Sequence, residues 1–337
     1  MGKWKKGVLS ILCAVLALVL LVLIFGAVYA EHLLGLIGRA EEESYASFES
    51  GQTLPPEDSK GPGDTGEVLD PTDITLDTQD KDGLIRAEHL VNILLIGQDR
   101  RAGQTHRTRS DAMILCTFDK KSKTIIMTSF LRDMYVQLPG RGGDKLNAAY
   151  AYGGMELLTQ TLKQNFSVHV DACVEVDFSG FTKVIDAVGG VDIPLTAKEA
   201  NYMNKNFGWS LNEGVNHLDG EKALAYSRIR AIGNDFGRTE RQRKVLAALL
   251  TGAKGLGITG ALNMLNEILP LLTTDMTNSQ IIGYVVELFP MLTSCTLNTL
   301  RIPADGTYRD AWVGSLDVLI PDLEANRRIL RDTLLPG

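Results

Sequence analysis

Two groups of charged residues have the types and spacing to do chemistry. In the first, Asp99, Arg100, Arg101, Arg107, Arg109 and Asp111 fill the gap between two apolar runs, and Arg132 and Asp133 follow a third run ending at Phe130. The second is Arg228 and Arg230, followed by Arg238, Arg241 and Gln242. Guanidinium groups offer phosphate oxygens a rigid fork of donors and stay protonated. If residues 226–230 are extended, alternation turns Arg228 and Arg230 to one side. The i, i+3, i+4 spacing of Arg238, Arg241 and Gln242 shares a face on a helix starting at Arg238, whose N-terminus adds backbone N–H donors. Together they form a candidate anion site, against the simpler reading of solvated surface arginines. Asp99 and Asp111 would repel each other on one rim, and a divalent cation relieves that. Mg2+ or Mn2+ held by one or two Asp oxygens, with water and phosphate completing its sphere, fits phosphoryl transfer.

These charges need elements to position them. Val91 to Ile96, Ala112 to Phe118 and Thr124 to Phe130 read as buried strands. The polar turn Asp119 to Lys123 is short enough to make a hairpin of the last two. If the second strand runs antiparallel to the first, Asp99, Asp111, Arg132 and Asp133 converge on one rim. Further on, a strand at Ala172 to Val176 lies between helices at Met155 to Asn165 and Phe178 to Val188, and Val191 to Ile193 extends again. Helices are expected at Gly220 to Tyr226, Arg238 to Leu250, Ala261 to Leu272, Ser279 to Leu292 and Asp322 to Leu334, with a strand near Thr296 to Ile302. Ala197 to Asn216 reads as a loop without a motif. The predicted class is α/β, a mixed-sheet α/β/α sandwich.

The uncharged run Gly7 to Ala30 has 24 residues, enough at about 1.5 Å each to cross a hydrocarbon core of roughly 30 Å. Lys3, Lys5 and Lys6 precede it and Glu31 and Glu41 to Glu43 follow, so the positive-inside bias leaves the N-terminus in the cytoplasm and the rest outside. A cleaved signal peptide is the alternative, but the run exceeds the usual apolar region of roughly 7 to 15 residues. The chain thus divides into 1–30, a cytoplasmic N-terminus and membrane span; 31–86, an acidic linker; and 87–337, the folded domain. Residues 31–86 hold 14 Asp or Glu against 4 Lys or Arg, and a flexible linker of that length reaches about 40 Å. The net charge of −7 is therefore misleading, because 87–337 balances to zero. No broad basic surface for nucleic acid is expected.

His32, His89, His106, His169 and His217 make no zinc-binding spacing, and Cys13, Cys116, Cys173 and Cys295 no disulfide framework. No GxSxG, P-loop or post-strand GxGxxG occurs, which leaves serine hydrolases, nucleotide-triphosphate enzymes and dinucleotide enzymes unsupported.

Eight ordered blocks resemble the LytR-CpsA-Psr family: Asn92 to Asp99, Thr108 to Met113, Phe130 to Asp133, Asp144 to Tyr150, Val174 to Phe178, Gly189 to Asp192, Leu218 to Arg230 and Asp235 to Gln242. The resemblance implies enzymes outside Gram-positive membranes that move a glycopolymer, such as teichoic acid or capsule, from a polyprenyl pyrophosphate carrier onto peptidoglycan. It implies that Asp99 and Asp111 hold Mg2+, and that Arg109, Arg132, Arg228, Arg230 and Arg238 bind the pyrophosphate with help from Gln242. Asp133 and Asp235 join the catalytic set and Lys145 contacts a phosphate. Gln98 stands where many relatives have Ser or Thr, and the 231–234 loop lacks a His that often follows the second arginine; the charged set is intact. A pyrophosphatase using water, and a surface protein that binds polyprenyl phosphate without turnover, are the alternative readings.

Overall fold

The computed structural model describes residues 29–40, 54, 67–98, 107–253, 266–292 and 295–336. The strands among them, numbered in chain order, are Gly38–Arg39 (β1), Glu67–Leu69 (β2), Leu90–Gln98 (β3), Ser110–Asp119 (β4), Thr124–Phe130 (β5), Tyr135–Leu138 (β6), Gly142–Lys145 (β7), Ala172–Asp177 (β8), Val191–Leu195 (β9), Gly214–Leu218 (β10), Leu272–Thr274 (β11), Thr296–Ile302 (β12), Tyr308–Val313 (β13) and Leu316–Pro321 (β14). A seven-stranded mixed sheet in the order β1-β11-β8-β3-β4-β5-β12 forms the frame. β4 is antiparallel to β5, as their short turn requires, and also to β3. The start of β4 and the ends of β3 and β5 therefore share one rim.

Alternation along the strands buries two faces. On one, Leu94, Ile96, Leu115, Ile126 and Phe130 pack with Leu158, Leu162 and Phe166 of Leu146–Phe166 (α1) and with Leu330 and Leu334. The Phe130 and Phe166 rings lie 5.3 Å apart. On the other, Ile114, Cys116, Ile125 and Met127 meet residues of later helices. The later helices are Phe178–Ala187 (α2), Ala197–Phe207 (α3), Gly220–Ser227 (α4), Asn234–Ala253 (α5) and Asn278–Leu292 (α6), of which α5 and α6 supply Leu246 and Met291 to that face, and Leu323–Leu334 (α7) returns to the first face. The expected α/β/α sandwich is what forms. Cys116, Cys173 and Cys295 are free thiols, and burial pushes the Cys116 thiol up to about 12.

The fold departs from the expectations at four places. Ala197 to Asn216 is not a loop: Thr196 and Glu199 cap α3 reciprocally, and Gly214–Leu218 closes a hairpin with β9. The helix expected over 261–272 is present at 266–268 of its described part, then tightens into a 3-10 turn Leu269–Leu271 and opens into β11. Pro270 cannot donate to a continuing α-helix, and the backbone beyond it pairs with β8 instead. Residues 226–230 are not extended, because α4 runs to Ser227 and Arg228 caps it with its N–H on Leu224 O. Finally, the acidic segment is folded from residue 67 on. β2 pairs with β13, Arg327 donates to Asp77 O (3.0 Å) and Arg331 to Asp80 (2.7 Å).

Inside α1 the backbone breaks at Gly153 and Gly154, the latter at φ +61° and ψ −149°, a conformation that favours glycine. A Cβ on Gly154 would lie 3.1 Å from the Arg107 guanidinium carbon. No helix among the described residues is long and apolar enough to cross a membrane. The span expected over 7–30 lies outside the described residues up to residue 28.

Candidate active site

The rim assembles much as the hairpin argument requires. Arg132, just past β5, donates through Nη1 to Asp111 Oδ1 at 2.9 Å, and Arg230 Nη2 stands 3.6 Å from the same oxygen. From α5, Arg238 donates to Asp235 Oδ2 at 2.8 Å and to the Asp111 carbonyl at 3.3 Å. Arg132 Nε lies 3.4 Å from Asp133 and 3.7 Å from Asp235, and Lys145 donates to Asp133 at 2.9 Å. One network thus joins Asp111, Asp133 and Asp235 with Arg132, Lys145, Arg230 and Arg238.

Burial sets the electrostatics. It pushes the Asp235 carboxyl above its ordinary value, against the pull of Arg238 and Arg132. It also lowers Arg238 to about 10, which keeps the guanidinium charged at neutral pH. Arg238 Nε is buried with no hydrogen-bond acceptor among the described residues. A buried cationic donor without an acceptor is costly, so an anionic ligand at this point is stabilising.

A cavity of about 400 Å3 opens on this network, lined by Asp111, Arg228, Arg230, Arg238 and Gln242 together with Phe178 and Tyr202. Arg228 lies over the Phe178 ring at 4.4 Å, a cation–π contact that steadies a long side chain beside water. Arg228 and Arg230 flank the buried Ile229, so they reach one cavity even though the backbone between them is not a strand. Next to it lies an apolar cavity of about 270 Å3 between the sheet and α2, α4 and α5, with Leu95, Ile114, Val174 and Leu246 in its wall. The two cavities share Ala112, Phe178, Ser227 and Gln242.

Not every expected residue joins them. Arg109 puts its charge beside the half-buried Asp144 carboxyl, which burial raises and Arg109 partly restrains, and it does not line the charged cavity. Asp99, Arg100 and Arg101 lie outside the described residues. Arg241, grouped by spacing with Arg238 and Gln242, points elsewhere. It is buried and donates to Glu199 Oε1 (2.8 Å), Ile229 O (2.8 Å) and Ile232 O (2.5 Å). Burial works against the Glu199 carboxylate, but the Thr196 backbone N–H and Arg241 outweigh it and hold the group below its usual range. Arg241 therefore ties the cap of α3 to the loop that carries Arg230.

Phe178 and Tyr202 escaped the sequence reading. Phe178 directly follows β8, whose end meets the rim beside Gln98, so its position was readable in principle. Tyr202 carries no signal in the sequence, because nothing in 197–216 forms a chemical motif. Gln98 is buried and donates to Glu175, which also accepts from Tyr150, giving a polar floor under the rim.

Among the described residues no three His, Cys, Asp or Glu side chains gather into a metal cage. Asp111 remains as an oxygen donor in the cavity wall. That donor chemistry fits Mg2+, which is bound through one or two carboxylates plus phosphate oxygens.

The family model for LytR_cpsA_psr matches residues 65–331. The polyisoprenyl-teichoic acid–peptidoglycan teichoic acid transferase TagT of Bacillus subtilis is 35% identical over 209 residues, 60% of this chain and 64% of TagT. The regulatory protein MsrR of Staphylococcus aureus is 37% identical over 168 residues, 50% of each chain. This chain therefore spans less than two thirds of these relatives. A solved structure of TagT with bound octaprenyl pyrophosphate lipid superposes with a TM-score of 0.57 at 29% identity, covering 73% of this chain and 91% of that one. With its rim, its sandwich and a family match over most of its length, the chain belongs to the LytR_cpsA_psr family.

Proposed function

We propose that this protein is a membrane-anchored transferase of the cell exterior that moves a glycopolymer, a teichoic acid, capsule or similar polymer, from a polyprenyl pyrophosphate carrier onto peptidoglycan. The observation that carries this reading is the pair of joined cavities, one lined with arginines and one apolar, with four residues in common. A ligand with an anionic head and a hydrocarbon tail suits both. TagT, with its octaprenyl pyrophosphate lipid, supplies the parallel.

In this mechanism Arg228, Arg230 and Arg238 grip the pyrophosphate, with Gln242 beside them and Arg109 and Arg132 extending the positive field. Asp133 and Asp235 hold Arg132, Lys145 and Arg238 in place. A sugar hydroxyl of peptidoglycan attacks the phosphorus that bears the glycan. A new O–P bond forms, the bridging P–O bond breaks, polyprenyl phosphate leaves, and the hydroxyl proton passes to solvent. The arginines stabilise the negative charge spread over the phosphoryl oxygens in the transition state. Asp111, with Asp99, would hold Mg2+ or Mn2+, which when bound neutralises further phosphate charge.

The test is product analysis on the full chain with lipid-pyrophosphate-linked glycan, nascent peptidoglycan and Mg2+. Glycan phosphate joined to muramic acid is expected. Free glycan phosphate alone would replace transfer with hydrolysis, and binding without any product would make the protein a carrier of the lipid. Transfer that survives complete chelation would remove the metal from the account.

A further inference from the structure

The acidic segment suggests a tether between membrane and domain, but chain order and the fold say otherwise. The apolar run ends at Ala30, and residues 29–35 are helical and already packed on the domain, with Leu33, Leu34 and Ile37 at most 9% exposed. Tyr29 Oη accepts from Asn266 Nδ2 at 2.6 Å. β1 then adds to the sheet edge in parallel with β11, Gly38 opposite Thr273 and Arg39 opposite Thr274. The approach is close: a Cβ on Gly38 would stand 3.1 Å from Thr273 Oγ1 and 3.2 Å from Leu272 O. The Arg39 guanidinium pins the end, donating to Met276 O (2.8 Å), to Leu34 O (3.3 Å) and to Asn278.

The acidic residues 41–66 come after this docked segment in the chain, so they cannot separate the span from the sheet. The stretch that receives it, 266–274, has a second role. Ile268 and Leu272 belong to the wall of the apolar cavity. One short piece of backbone therefore contacts the anchor's exit and the proposed lipid cavity.

We infer that residues 29–39 hold the cavity wall at Ile268–Leu272 against the outer face of the bilayer, so that a lipid donor moves from membrane to cavity beside the anchor. Tyr29 then sits at the interface, where tyrosine is favoured. The inference rests on the proposed function for the identity of the donor, while the contact with lipid is independent of turnover. Its partner is the bilayer itself.

The test uses the full chain in vesicles of phosphatidylcholine and phosphatidylglycerol containing a doxyl-labelled quencher lipid. With Cys13→Ala and Cys295→Ala leaving only the buried Cys116 and Cys173, a fluorophore is placed through Glu267→Cys, an exposed site beside the wall, or through Val68→Cys. Val68 is 63% exposed on β2, whose sheet is bridged to the β5 end through Met134 and Leu319. That end of β5 is four strand spacings from β11, about 19 Å. Quenching at 267 at least threefold stronger than at 68 is expected; equal quenching overturns the inference. Ten Gly and Ser residues inserted between Ala30 and Glu31 add roughly 17 Å of flexible reach. They should bring the 267 signal down to the 68 level, and an unchanged signal overturns the inference as well. The same insertion should lower transfer from a membrane-embedded donor several-fold and spare a short-chain soluble donor. If neither donor reacts with either chain, the proposed function fails while the quenching still decides the docking.

Discussion

Arg238 and Arg241 stand three residues apart on one helix, both buried, and serve opposite purposes. Arg238 reaches a cavity, shares Asp235 with Arg132 and keeps a buried Nε without an acceptor among the described residues. Arg241 satisfies itself on Glu199 and two carbonyls and lines neither of the two cavities. One flank of α5 is thus left needing an anion and the other is closed by its own carboxylate. A rim that binds phosphate gains from incomplete internal pairing, whereas the frame that aims it gains from complete pairing.

This contrast can be broken on either flank. The largest effect is expected for Arg241→Ala, which strands Glu199 in a buried position and should cost about 3–5 kcal/mol of stability, read by chemical denaturation. Adding Glu199→Leu should return much of that loss while transfer stays impaired, because the loop bearing Arg230 has lost its tie. Arg230→Ala on the rim flank should do the reverse. Its side chain is half exposed, so the melting temperature should hold, while kcat falls by about 10²–10³-fold, equivalent to about 2.7–4 kcal/mol, as for loss of one transition-state donor. Leu95→Trp, filling the apolar cavity, should raise KM for a long-chain donor by about 10–200-fold, the scale of a hydrophobic pocket's discrimination, and leave a short-chain donor unaffected.

The smallest effect concerns pH. The Glu199 carboxyl lies below its ordinary 4.5 in the folded chain. Its contribution to stability is therefore present above 4.5 and lost as pH falls through the depressed folded value. Glu199→Gln should flatten the fall in melting temperature below that pH, and a parallel fall in both chains would mean that other carboxylates govern the acid limb. Asp235 works in the opposite sense. Raised by burial, it takes up a proton more readily when folded, so it gives up stability as pH rises from 3.8 through its folded value.

Periodicity made the sheet legible, because apolar runs broken by short polar turns leave few pairings, and the antiparallel β3–β4–β5 order then put Asp111, Arg132 and Asp133 on one rim. The joint reach of Arg228 and Arg230 was also legible, though for the wrong reason: a helix end followed by a buried Ile229 aims them as an extended strand would have done. Helical spacing could not separate Arg238 from Arg241, since a difference of about 60° around one helix decides between cavity and core and the deciding partner, Glu199, lies 42 residues away. Acidic composition hid β2 and the docked residues 29–39, because edge strands of two or three residues carry no pattern of their own and take their pairing from β13 and β11.

The most direct test of a single lipid pyrophosphate lying across both cavities is a binding cycle. Affinities for a polyprenyl pyrophosphate and for inorganic pyrophosphate would be measured on the parent chain, Arg230→Ala, Leu95→Trp and the double variant. The lipid should lose affinity in both single variants, and inorganic pyrophosphate in Arg230→Ala alone. If Leu95→Trp binds the lipid as tightly as the parent, the two cavities do not share a ligand and the account is wrong.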